Sequence, residues 1–123
     1  MMKYPHFDVH PQKDVLVIQL VDPRLFDAMV VNELQEDLLA IIEKEKPRKV
    51  LVSFAGVSHC STAVINGLLR AKKRLMANGG QIKLCQMHPI IREAYRLLNL
   101  DGTVFHIHDT EAEALTAFGY LSK

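Results

Sequence analysis

The chain has 123 residues, 49% of them hydrophobic and 24% charged, with a formal net charge of +1. That length suits one domain covering residues 1–123, and the apolar fraction is enough for a core without disulfide or metal staples. Near-neutral charge argues against an obligate nucleic-acid binder, whose phosphate contacts leave a basic surplus. No apolar run approaches the roughly 20 residues that span a bilayer, so no stable membrane insertion is expected. The opening residues Met1–Phe7 lack the apolar stretch of a signal peptide. The expected location is the cytoplasm, where Cys60 and Cys85 remain reduced thiols.

Along the chain, hydrophobic residues alternate between strand and helix periods. A short strand is predicted near Phe7–His10, ended by Pro11, and a second over residues 14–20, apolar on both faces. Asp22-Pro23-Arg24 reads as a turn. A helix follows, capped by Asp27, with Val30, Leu34, Leu38, Ile41 and Ile42 on one stripe and Pro47 as its stop. Residues 49–54 form the next strand. A second helix runs over residues 62–77, burying Ile65, Leu68, Leu69 and Met76, and Asn78-Gly79-Gly80 closes it. Residues 81–86 read as a strand, and Pro89 opens a helix running to Leu98. Residues 103–108 form the last strand, and Asp109 or Thr110 caps a helix carrying Ala114, Leu115 and Phe118. Repeated β-α-β units with right-handed crossovers give an α/β fold, a mostly parallel sheet packed by about four helices.

The segment Val57-Ser58-His59-Cys60-Ser61-Thr62 joins the C-terminal end of a predicted central strand to a helix N-terminus. Open parallel sheets bind ligands at such ends, and helix N-termini favour anions. Helix capping by Ser61 or Thr62 accounts for those two residues equally well. Cys60 invites comparison with Cys-dependent phosphatases, but six residues on stands Asn66 in place of the arginine that would clamp phosphate. His106 and His108 share one strand face without a third metal ligand at suitable spacing, so no metal site and no cofactor are expected. His6, His10 and His88 read as scattered surface residues, and Cys85 as a small core residue. Arg70, Lys72, Lys73 and Arg74 crowd one half of the second helix, where they complement the helix dipole or face an acidic partner. Asn66, Arg70 and Lys73 fall on one face of that helix.

Taken together, these patterns resemble the STAS domain of bacterial anti-sigma factor antagonists and sulfate transporters. The likeness extends from about Phe7 to Phe118. It rests on residues 49–54 followed by Val57-Ser58, on Ser61-Thr62-Ala63-Val64 at the start of the second helix, on Asn78-Gly79-Gly80 leading into Gln81–Leu84, and on the helix from Pro89 to Leu100. The resemblance implies a non-enzymatic binding module that regulates transcription by engaging an anti-sigma factor with serine kinase activity. It places the phosphoacceptor at Thr62, with Ser61 the rival, where the family's motif reads Asp-Ser-Ser/Thr-Gly. Ser61 stands for the Asp, and Ala63 and Val64 replace the last two residues of the motif. The expected partner surface comprises Ser58, His59, Cys60, Asn66, Arg70 and Lys73. The alternative implied role is a scaffold subunit of a signalling complex or lipid-transport system without a phosphorylation cycle.

Overall fold

The computed structural model describes residues 4–119. Its main sheet contains β1 (Phe7–Gln12), β2 (Val15–Leu20), β4 (Lys49–Ser53), β6 (Gln81–Cys85) and β7 (His106–His108), in the order β1-β2-β4-β6-β7. A separate two-stranded ladder joins β3 (Arg24–Leu25) to β5 (His59–Cys60). Only β1 runs antiparallel, pairing with β2 across a tight turn at Lys13, which adopts φ 56°. The other main-sheet pairs are parallel, in the registers Val17↔Leu51, Leu51↔Lys83 and Leu84↔Ile107. The helices are α1 (Ala28–Glu45), α2 (Ala63–Ala77), α3 (Pro89–Leu97) and α4 (Glu111–Ala117).

Strand alternation divides the core between two faces. Ile18, Leu20, Val50, Val52, Ile82 and Leu84 pack with α1, α2 and α3. Val15, Val17, Leu51 and Cys85 point the other way, beneath Ala114, Leu115 and Phe118 of the α4 segment. Burial on both faces is why residues 14–20 and 49–54 are almost continuously apolar. The helix boundaries follow their local signals. Asp27 Oδ1 accepts from the Met29 and Val30 amides, Pro89 occupies the first turn of α3, and Thr110 Oγ1 accepts from the Glu113 amide. Gly79 adopts φ 78° just past α2, a left-handed conformation that glycine enters without steric cost.

Several expectations need correction. Pro11 does not end β1, since it pairs with Leu16 inside an edge strand, where a missing N–H is tolerated. Residues 22–24 are not simply a turn, because Arg24 begins β3. The predicted last strand is three residues long, His106–His108; residues 102–104 turn instead, and Phe105 makes an isolated bridge to Asp101. Within α1, Val31 rather than Val30 is fully buried; in α2, Leu75 is buried and Met76 is 60% exposed. His6 is not a surface group, while His88 is exposed as expected but also has a structural role. His6 is buried between two carboxylates, and His88 Nδ1 accepts from the Ile90 amide to cap α3.

Candidate functional site

The chain leaves the central strand β4 through a turn closed by the Val57 amide on the Phe54 carbonyl, at 2.9 Å. From there it is tied to the segment after β2. The Pro23 carbonyl accepts from the Ser58 amide (2.9 Å), the His59 amide (3.1 Å) and the Ser58 hydroxyl (3.1 Å). The Leu25 carbonyl accepts from the Ser61 amide at 2.7 Å. With the β3–β5 register Arg24↔His59 and Leu25↔Cys60, these bonds clamp residues 58–61 against residues 23–25. Backbone hydrogen bonds, together with the burial of Leu25 and Val57, therefore fix how the chain enters α2.

At the helix start the two hydroxyls take different roles. Ser61 Oγ accepts from the Ala63 amide at 3.1 Å, so Ser61 ties down the first turn of α2. Thr62 is the N-cap residue by position, with φ −63° and ψ −18°, yet its side chain makes no capping bond. It is exposed. Capping thus accounts for Ser61 but leaves the Thr62 hydroxyl available at the positive end of the helix dipole.

Behind Thr62 lies an open cavity of about 170 Å³. Phe26, Ile65, Ile90, Ile91, Ala94 and Tyr95 supply its apolar walls, and residues 58–62 form its polar side. Phe26 and His59 meet with ring centroids 6.1 Å apart. Tyr95 packs its ring edge on Phe105, and its buried hydroxyl has no hydrogen-bond partner among the described residues. Cys60 is half-buried, and burial pushes its pKa up to about 11. At neutral pH it is a thiol, which is a poor nucleophile, and Asn66 offers no guanidinium to hold an anion.

The expected partner residues divide between two places. Ser58, His59, Cys60, Ser61 and Thr62 gather on the cavity, whereas Arg70 and Lys73 line a shallow groove with Leu39, Arg74 and Ala77 between α1 and α2. Asn66 is exposed one turn after Thr62. Arg70 Nη1 reaches Gln35 Oε1 at 3.5 Å, Arg74 pairs with Glu43, and Lys72 donates to the Val104 carbonyl. Only part of the basic cluster is therefore free to meet a partner. Sequence reasoning missed Phe26, Ile90, Ala94 and Tyr95. The helical spacing of the three α3 residues was visible, but periodicity alone does not reveal that Ile90 stays 72% exposed. His106 is exposed, while burial and the neighbouring Lys83 charge hold the His108 pKa below its usual value. Among the described residues no cluster of His, Cys, Asp and Glu is arranged to hold a metal ion.

The model of the STAS domain matches residues 6–114. The chain belongs to the STAS domain family. Among solved structures it is similar to an anti-sigma-factor antagonist (STAS) domain protein from Planctomyces limnophilus, at 27% identity, TM-score 0.79, and 92% and 97% coverage of the two chains. It shares the fold of the Bacillus cell fate determinant SpoIIAA in its phosphorylated form, at 19% identity, TM-score 0.68, and 91% and 98% coverage. The same fold occurs within a murine anion transporter of solute carrier family 26, at 16% identity and TM-score 0.68, where the match covers 88% of this chain and 18% of the transporter. Among the described residues no helix of this STAS domain is long and apolar enough to cross a membrane.

Proposed function

We propose that this STAS protein is a switchable binding module of the anti-sigma factor antagonist type, acting in the cytoplasm on transcription. Its partner is an anti-sigma factor with serine kinase activity, and Thr62 is the residue that kinase modifies. One observation carries the reading: Ser61 secures the helix start, and Thr62 presents an exposed hydroxyl that makes no capping bond. A phosphate there sits beside the N-terminal amides of α2, and the dipole stabilises each such charge by about 0.3–1 kcal/mol. The fold therefore tolerates phosphorylation. The effect falls on the interface, where roughly two added negative charges and their hydration obstruct close contact. The proposal assigns no catalytic residue to this chain.

Incubation with the kinase and ATP, followed by peptide mass spectrometry, tests the assignment. Phosphate is expected on Thr62 and lost in Thr62→Ala, while Thr62→Glu weakens kinase binding without lowering the melting temperature. Phosphate on neither Thr62 nor Ser61, together with normal binding by Thr62→Glu, refutes the switch. The scaffold or transport role then replaces it, a reading that Ala63 and Val64 favour by departing from the family's motif. Recovery of a kinase or of an integral membrane complex as the stable partner separates the two roles.

A further inference from the structure

The cavity behind Thr62 explains what kind of group the partner brings to this surface. Its lining contains no lysine, arginine, aspartate or glutamate. Its volume, about 170 Å³, is close to that of an engineered apolar cavity of about 150 Å³ that holds one benzene ring. The rim is apolar and open to solvent, with Phe26 56% and Ile90 72% exposed. From Ile90 an apolar stripe continues along α3 through half-buried Ala94 to exposed Leu97, at helical spacings of four and three. A small molecule inside the cavity would leave Phe26, Ile90 and Leu97 wet. A protein surface seated over them covers all three, and an apolar pocket ringed by near-neutral contacts is how protein interfaces seat their anchor side chains.

Resting on the reading of Thr62 as the switch, we infer that the partner inserts one uncharged aromatic or branched aliphatic side chain into the cavity between α2 and α3, with the α3 stripe packed beneath the flanking residues. Thr62 stands on the lip of this pocket. No lysine or arginine of the lining is placed to pair with a phosphate there, so closing the interface would strip its water with only the α2 amides and dipole to offset the cost. Phosphorylation then releases the partner by making the anchor's entrance polar, and the fold need not change shape. The basic residues Arg70 and Lys73 line the separate α1–α2 groove and are not among the residues of the pocket wall.

The test uses the full chain and two probes. Toluene represents an uncharged anchor, and propionate and butylammonium are its charged counterparts. In methyl NMR, toluene should produce saturable shifts at Ile65 and Ile91 in the wild type but not in Ala94→Trp, whose indole fills the cavity. The charged probes should produce none. A random linear-peptide library is then selected on the wild type. Peptides with one aromatic or branched aliphatic anchor should emerge and bind Ala94→Trp, Ile90→Ser and Thr62→Glu at least about tenfold more weakly. Ile90 is exposed, so Ile90→Ser should melt like the wild type and removes misfolding as an explanation. Absence of saturable toluene shifts, or selected peptides that bind Ala94→Trp as tightly as wild type, overturns the inference. Neither readout involves a kinase, so failure here leaves the phosphorylation assay standing, and failure of that assay leaves these measurements intact.

Discussion

His6 offers a sharp quantitative test of the structure. It is 9% exposed, and its Nδ1 lies 2.6 Å from Asp22 Oδ2 and its Nε2 2.8 Å from Glu33 Oε1. Neutral imidazole carries one N–H, so only the imidazolium donates to both carboxylates. Burial pushes the His6 pKa down, but the hydrogen bonds and charges of Glu33 and Asp22 outweigh it, and the net position lies above the ordinary value. A hydrogen bond to a charged partner contributes about 1.5–3 kcal/mol. The Asp22 side chain is 28% exposed and keeps most of that; Glu33, at 54%, is screened to a surface pair of about 0.5 kcal/mol. His6→Ala should therefore cost about 2–3 kcal/mol in urea unfolding. Because the folded pKa is raised, the protonation-linked stability is fully present below about pH 6.5 and is lost as pH rises through the folded value. His108, whose pKa is lowered, contributes with the opposite sign, so wild type is best compared with His6→Gln at each pH to cancel it. The stability gap between them should narrow as pH climbs from about 5.5 to about 8.5. A gap that stays constant or widens over that range would refute a charged His6 bridge.

The remaining predictions are briefer. Leu51 is fully buried against α4, so Leu51→Ala should cost about 2–5 kcal/mol by chemical denaturation. With the Cys60 pKa near 11, alkylation by iodoacetamide should be slow at neutral pH and accelerate with rising pH; rapid labelling at neutral pH would contradict the burial of that thiol. Arg70→Glu and Lys73→Glu should each weaken binding to an acidic partner and flatten its salt dependence; unchanged affinity in both would leave the groove as solvated surface.

The inner strands β2 and β4 were legible because they are covered on both faces, which leaves apolar runs too short for helices and bounded by turn residues. Asp27, Pro89 and Gly79 marked helix ends through local chemistry that operates in any context. What the sequence concealed depends on distant partners. β3 and β5 are two residues each and form only because Arg24 and Leu25 meet His59 and Cys60, an alignment that no local pattern encodes. Lys83, inside the predicted strand 81–86, is only 8% exposed with its ammonium 5.3 Å from the Phe118 ring, and His6 meets its carboxylates 16 and 27 residues away. At the candidate site the chain-local half, residues 58–62, could be found by its position after a strand. The apolar half could not, because Phe26 and the α3 residues reach the cavity only through the tertiary fold.

The clamp between residues 23–25 and 58–61 also governs where this chain can be re-engineered. Extra residues between Ser53 and Thr62 would pull the Ser58, His59 and Ser61 amides out of step with the Pro23 and Leu25 carbonyls, so every bond in that strap would have to re-form around a longer arc. A split-reporter insertion there would forfeit the geometry of the α2 entrance even if the core survived. The Lys13–Asp14 turn closes the β1–β2 hairpin, and the Lys49 ammonium, at the start of β4 and away from Thr62, ties it to the rest of the sheet by donating to Asp14 Oδ2 at 2.8 Å. A circularly permuted version or a fused fluorophore therefore belongs at that hairpin tip, where it can report on the opposite end of the sheet without altering how Thr62 is presented.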